Sequence, residues 1–171
     1  MEPDKPTTIT CTVISIDHTS LHYTVCSSCE RTLTLPDTQC CTFLKNTTNI
    51  NSQVGPTSKL LFRVLMSVAT DEKVFVVVAF DRAAKVLFGC SAQEFVDFAK
   101  IYPFSAETAS KILEGEMLRV TLSKPKNGNA QHQRVVSVVP LKSGFRPVID
   151  TLREIYGVRS VKLQKRGAND S

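Results

Sequence analysis

At 171 residues, of which 42% are hydrophobic and 22% charged, the chain has an ordinary globular composition and is long enough to bury its own core. Its longest apolar run, Val74 to Phe80, is far shorter than the roughly 20 residues of a membrane-spanning helix, so no membrane association is expected. Residues 1–5 lack the hydrophobic segment of a secretory signal. The six cysteines are therefore expected to be intracellular thiols or metal ligands rather than disulfides.

The net charge of +5 is concentrated at one end of the chain. Residues 1–57 contain 3 basic and 5 acidic side chains, residues 58–114 contain 7 of each, and residues 115–171 contain 11 basic against 4 acidic. Such a basic region is typical of proteins that bind a polyanion. The alternative is a basic solvated tail at residues 159–171, because charged termini are common and often disordered.

The first half of the chain carries the signals of β-structure. Alternating apolar and polar residues, or β-branched runs, predict strands at residues 9–16, 21–25, 60–69 and 73–80. The last of these is apolar on both faces, so it is expected to be covered on both sides, with Phe75 and Phe80 in the core. Residues 45–58 are rich in Asn, Thr, Ser and Pro and predict a flexible surface loop.

Helix signals dominate the middle of the chain. Gly89 suits the left-handed position after a helix, and Ser91 with Glu94 has the pattern of a capping box. Helices are predicted at residues 81–88, 91–100, 105–113 and 147–156, and further strands at 117–122 and 134–140. This order of elements predicts a mainly β protein with helices, a five-stranded barrel with helices between its third and fourth strands, which is the OB-fold.

Cys26 and Cys29 have the spacing of a zinc knuckle, because a tight turn there lets both sulfurs face one tetrahedral ion. A second pair follows at Cys40 and Cys41, but adjacent side chains on an extended segment point to opposite sides, so only one of them is an easy ligand. The alternatives for the fourth ligand are the other cysteine of that pair, His22 and Cys11. We predict a structural zinc ion held by these thiols; the alternative is a set of buried cysteines.

An enzymatic function has little support in the sequence. Cys90 lies between a helix end and a helix start, where a helix N-terminus can lower the pKa of a thiol. No motif places a histidine beside it, and the chain has no glycine-rich loop that could hold a phosphate. The sequence predicts a protein that is not an enzyme.

Basic and aromatic side chains on the predicted strands, and around the loop before residue 134, suit a protein that binds single strands. Aromatic faces stack bases at about 1–3 kcal/mol each, while a basic groove follows the phosphates. In an OB-fold the loops between strands one and two and between strands four and five flank that groove. Phe62 is the predicted stacking side chain. The predicted contact residues are Phe62, Arg63, Lys73, Arg119, Lys124, Lys126 and Arg134.

Three segments resemble the C-terminal DNA-binding domain of the replication protein A large subunit. They are LHYTVCSSC at residues 21–29, LFRVLMSV at 61–68 and AFDRAAKVLFGCSA at 79–92. The resemblance implies an OB-fold that carries a zinc ribbon between its first strands and binds single-stranded DNA. Residues 137–140 and 145–150 are similar to a divergent relative, the DNA damage-induced apoptosis suppressor. Both likenesses imply a nuclear role in genome maintenance.

The chain departs from that family in two respects. The adjacent Cys40 and Cys41 replace a second Cys-x2-Cys pair. This chain has one OB-fold domain, whereas proteins of the family link several OB-folds and so gain affinity. The chain is therefore expected to bind weakly or to work inside a complex. The terminal helix matches the position of the family's helical assembly interface, so its apolar stripe could dock a protein partner or simply close the end of the barrel. The stripe consists of Val148, Ile149, Leu152 and Ile155.

The predicted function is therefore single-stranded DNA binding in DNA repair, recombination or replication. The alternative is a protein-interaction subunit of a genome-maintenance complex without strong DNA binding of its own. The OB-fold domain is predicted to cover residues 1–158, with a zinc-ribbon-like hairpin inserted at about 21–44 and a basic tail at 159–171.

Overall fold

The computed structural model describes residues 5–33, 58–124 and 132–158. Its strands are β1 (Thr7–Ile16), β2 (His22–Cys26), β3 (Ser58–Ala69), β4 (Val74–Phe80), β5 (Met117–Ser123) and β6 (Gln133–Pro140). Its helices are α1 (Asp81–Phe88), α2 (Ala92–Ile101), α3 (Ser105–Leu113) and α4 (Val148–Ile155). Apart from Ser58, the predicted loop at 45–58 lies outside the described residues, as does the predicted tail at 159–171.

Five of the strands close into a barrel. β1 pairs antiparallel with both β3 and β5, β5 pairs antiparallel with β6, β6 runs parallel to β4, and β4 pairs antiparallel with β3. The three helices between β4 and β5 occupy the position expected from the order of elements. This mixed five-stranded barrel confirms the predicted OB-fold.

β2 is an addition to the barrel rather than one of its five strands. It pairs antiparallel with the first part of β3, with Tyr23 opposite Leu61 and Cys26 opposite Ser58. The chain then turns back, and Thr32 forms a single bridge with Val25. The connection between β1 and β3 therefore holds a short hairpin that extends the sheet beside the barrel.

The core follows from the alternation of β3. Phe62, Val64, Met66 and Val68 are all buried, because every second side chain of a strand points to the same face. Phe62 stacks on Phe88 of α1, with ring centroids 4.7 Å apart. The helices therefore cover one end of the barrel with aromatic and aliphatic side chains, and burial of this apolar surface drives folding.

The helix ends agree with the local sequence signals. The Ser91 hydroxyl accepts a hydrogen bond from the Glu94 amide at 3.1 Å, which caps α2 as predicted. Gly89 ends α1 in the left-handed conformation with φ of 72°. A β-carbon at Gly89 would lie 2.3 Å from Cβ of Pro147, so this glycine also allows α4 to begin directly against α1.

The prediction that the apolar stripe of α4 binds a partner is wrong for three of its four residues. Val148, Ile149 and Leu152 belong to the core cluster, because α4 packs on α3 and α1. Ile155 is 56% exposed on the other side of the helix. The stripe mainly closes the end of the barrel. No helix in the described part of the chain combines the length and hydropathy needed to cross a membrane.

Candidate nucleic-acid interface

Two arginines and two aromatic residues lie together on the outer surface of the barrel. Arg63 of β3 is directly opposite Phe80, the last residue of β4. Arg134 of β6 lies beside Val78, two residues before Phe80 and thus on the same face of β4. Tyr23 reaches this surface from β2. We call Tyr23, Arg63, Phe80 and Arg134 the outer-face cluster.

Phe80 is the centre of the outer-face cluster. Its ring meets the ring of Tyr23 across β3, with centroids 6.1 Å apart and planes inclined at 81°. The guanidinium carbon of Arg134 lies over the Phe80 ring, 4.6 Å from its centroid. Edge-to-face ring pairs and cation–π contacts are both favourable at these distances from the ring centroid. The two contacts therefore hold Tyr23, Phe80 and Arg134 together.

The charges of the cluster are positive and open to solvent. Arg63 and Arg134 are exposed, and neither forms an ion pair with a carboxylate in the part of the chain that the structure describes. Burial raises the pKa of the Tyr23 phenol and the carboxylate of Asp81 adds to the rise, while both arginines oppose it. Tyr23 is thus a neutral donor between two cations, which suits contact with phosphates and bases.

Asp81, the nearby acid, already has partners of its own. One carboxylate oxygen accepts a hydrogen bond from the Phe62 amide at 3.1 Å, and the other pairs with the Lys85 ammonium at 2.9 Å. These contacts join the start of α1 to β3. Asp81 therefore links α1 to the barrel. It forms no ion pair with Arg63 or Arg134, so their positive charge at the surface is not neutralised.

The predictions for Phe62 and Phe80 are both wrong, in opposite directions. Phe62 is 1% exposed and packs against Phe88 and Phe95, so it cannot stack on a base. Phe80 is half-buried on the outer face rather than in the core. The two residues lie on opposite sides of the barrel wall, because Phe80 is opposite Arg63, which points outward, and Phe62 is one residue earlier on β3.

The remaining predicted contacts are dispersed. Lys73 is at the β3–β4 connection with its ammonium 4.9 Å from the centre of the Phe75 ring, roughly 20 Å along β4 from Phe80. Arg119 is on β5 opposite Thr10, about 13 Å along that strand from Ser123, which pairs with Arg134. Lys124 is exposed at the end of β5, directly after the residue that pairs with Arg134. Lys126 lies outside the described residues.

Tyr23 was not among the predicted contacts. It occupies an alternating position in a predicted strand, three residues before Cys26, and the sequence gives no sign that this strand adds to the edge of the barrel. Alternation in Leu21-His22-Tyr23-Thr24-Val25 puts Tyr23 on the same face as Leu21 and Val25, which are buried, so this pattern does not identify Tyr23 as a surface contact.

The cysteine pair lies in a tight turn at the end of β2. The Cys26 carbonyl accepts a hydrogen bond from the Glu30 amide at 2.9 Å, and the Cys26 amide donates to the Arg31 carbonyl at 2.9 Å. Glu30, directly after Cys29, has a φ of 60°, a left-handed conformation that is uncommon for a residue other than glycine. Cys26 is buried and Cys29 is exposed. A Cys-x2-Cys pair in a tight turn is the sequence arrangement of half a zinc knuckle.

The other proposed zinc ligands differ in their positions. Cys40 and Cys41 lie outside the described residues. Cys11 is buried inside the barrel and precedes Thr12, which pairs with the last residue of β3, whereas Cys26 pairs with the first residue of β3, so Cys11 lies far from the turn after β2. His22 is at the other end of β2, about 13 Å along the strand from Cys26. No cluster of three or more possible ligands occurs within the described ranges.

Cys90 has the properties of a packed residue. It is buried at the junction of α1 and α2, and burial raises the pKa of its thiol from 9.0 to about 12. A thiol in this state is almost entirely protonated at neutral pH and is a poor nucleophile.

The barrel is similar to solved structures of replication protein A. Over 91% of its length the chain matches a replication protein A heterotrimer bound to single-stranded DNA, with a TM-score of 0.59 and 17% identity, and it spans 35% of that protein chain. It matches yeast replication protein A bound to single-stranded DNA over the same 91%, with a TM-score of 0.58 and 15% identity, and spans 87% of that chain. No protein-family model and no curated protein matches the sequence.

These likenesses support the OB-fold. The identities are low, so they concern the fold. The similarity of residues 137–140 and 145–150 to the DNA damage-induced apoptosis suppressor stays a prediction.

Proposed function

We propose that the protein binds single-stranded DNA on the outer-face cluster. The observation that carries the proposal is the arrangement of two exposed arginines around a Tyr23–Phe80 ring pair on an OB barrel. Bases stack on such flat groups, and arginines neutralise phosphates. The structural likeness to replication protein A bound to single-stranded DNA supports this ligand over other polyanions.

The test is fluorescence anisotropy of a labelled oligothymidine over a series of salt concentrations. Because each phosphate contact on a single strand contributes about 0.7 to the slope of log affinity against log salt, Arg63→Ala is expected to weaken binding and to make the slope shallower by about that amount. Arg119→Ala removes an equal charge from β5, outside the outer-face cluster, and is expected to leave binding unchanged. The proposal fails if the wild-type protein does not bind at low salt, or if the two variants are equivalent.

The biological setting follows from the ligand. We propose a non-enzymatic role in nuclear DNA repair, recombination or replication, supported by the fold that the chain shares with replication protein A. The aromatic and cationic side chains of the cluster suit contacts to nucleic acid. The cluster contains no nucleophile with an adjacent base. Relocation of the protein to nuclear sites of exposed single strands after DNA damage, seen by imaging, is the expected behaviour; a protein that stays outside the nucleus would contradict it.

We also propose a structural zinc ion on Cys26 and Cys29, with Cys40 or Cys41 as a further ligand. The support is the compact turn with its left-handed Glu30 directly after Cys29. A structural zinc ion contributes directly to folding energy, so the hairpin that contains β2 depends on it. Metal analysis is expected to find about one zinc per chain and none in Cys29→Ser. Wild-type protein that is folded and free of zinc would refute this assignment.

A second function, docking of a protein partner, has separate support at the helical end. Tyr102 and Tyr156 stack with centroids 4.5 Å apart, and their neighbours Ile101 and Ile155 are exposed. Exposed isoleucines next in sequence to a stacked pair of tyrosines suit contact with an apolar surface of a partner. Replacement of both isoleucines by serine is expected to abolish assembly with a genome-maintenance partner and to preserve DNA binding. Equal assembly of variant and wild type would exclude this surface.

A further inference from the structure

The Arg134 guanidinium occupies the place where a base would otherwise stack on Phe80. Its central carbon is 4.6 Å from the ring centroid, and Arg134 is exposed whereas Phe80 is half-buried. The ring of Tyr23 meets Phe80 at a steep angle rather than lying parallel to it. Phe80 is therefore covered by protein groups from two sides, and a base reaches Arg134 before it reaches the ring.

We propose that Arg134 is itself the stacking platform for a nucleobase, with Phe80 as the support that holds its guanidinium in place. This assignment rests on the proposed function. A guanidinium is flat and delocalised, so it can lie against an aromatic ring on one side and a base on the other. The base then adds to the stack without displacing the cation from Phe80.

The position of Arg134 in the fold suits this role. It is the second residue of β6, beside Val78 of β4 and Ser123 of β5, directly after the connection from β5. In an OB-fold this connection flanks the binding groove. Arg63 lies opposite Phe80, so a phosphate of the same strand can be neutralised within reach of the stacked base. The two arginines thus have different roles: Arg134 stacks and Arg63 supplies charge.

The substitution Arg134→Lys separates stacking from charge, because lysine keeps the positive charge and lacks the flat group. The measurement is the anisotropy of labelled oligothymidine and of a strand of the same length without bases. We expect Arg134→Lys to weaken oligothymidine binding about fivefold or more, as the loss of a stacking side chain does, with an unchanged salt slope. Binding of the strand without bases is expected to stay as in the wild type.

Arg119→Lys makes the same change at an exposed arginine outside the outer-face cluster; it is the matched control and is expected to preserve both affinities. Phe80→Leu removes the support, so it is expected to weaken oligothymidine binding as Arg134→Lys does, and the double variant is expected to be no weaker than either single one. Thermal unfolding checks that each variant is folded.

The outcomes separate this assignment from the function on which it rests. Wild-type binding of oligothymidine with an unaffected Arg134→Lys variant overturns the stacking role alone. Equal losses of Arg134→Lys on both strands also overturn it, because they show a contact to the backbone. Wild-type protein that binds neither strand overturns the proposed function and the stacking role together.

Discussion

Gly89 allows α1 to end against the start of α4, and its replacement by alanine tests how closely these helices are joined. Two costs are expected. A non-glycine residue at φ of 72° loses about 1–2 kcal/mol. The new β-carbon would also lie 2.3 Å from Cβ of Pro147 and 3.3 Å from Ile149, which forces α4 to shift; overpacking of this kind costs about 1–3 kcal/mol. The sum is a loss of about 2–5 kcal/mol in the free energy of unfolding.

Gly144→Ala is the matched control, because Gly144 has a similar φ of 75° and no atom within 4 Å of the added carbon. Both alanines restrict the unfolded chain equally, so that effect cancels. With a urea dependence of about 2 kcal/mol per molar, Gly89→Ala is expected to unfold at about 1 M less urea than Gly144→Ala. Equal midpoints would show that α4 does not rest on Gly89 and would refute the packing argument.

Three further predictions concern the helices and a buried thiol. Leu152→Ala is expected to lower the free energy of unfolding by about 2–5 kcal/mol, and Ile155→Ala by far less, in urea titrations; similar losses would contradict the core position of the stripe. Ser91→Ala is expected to cost about 1 kcal/mol by loss of its bond to the Glu94 amide, measured the same way against a neutral change at an exposed helix position. The raised pKa of Cys90 means that the unfolded chain loses this proton first, so stability falls as pH rises from 9.0 towards about 12. Cys90→Ala is expected to flatten that fall, and an unchanged pH profile would show that another group causes it.

The local elements were predictable because their signals are local. Ser91 begins α2 and Gly89 ends α1 by hydrogen bonds and backbone conformation within a few residues. The inward set of β3 follows from a strict alternation, and the order of strands and helices was sufficient for the OB-fold. The side of the barrel on which Phe80 lies was not predictable, since β4 is apolar at every position and its pattern does not distinguish its two faces.

The candidate site required the tertiary structure for the same reason. The sequence identified Arg63 and Arg134 by charge, but it grouped them with Lys73 and Arg119, which the barrel places elsewhere. Tyr23 joins them only because β2 pairs with β3 outside the barrel.

By itself, then, the sequence determined the barrel, its helices and the cationic character of the candidate site, because these depend on periodicity, capping and composition. The structure alone decided which arginines meet which rings, because that depends on strand pairing between residues up to 111 positions apart, from Tyr23 to Arg134. Side chains so distant in the chain come together through the register of the sheet, and no local pattern encodes that register uniquely.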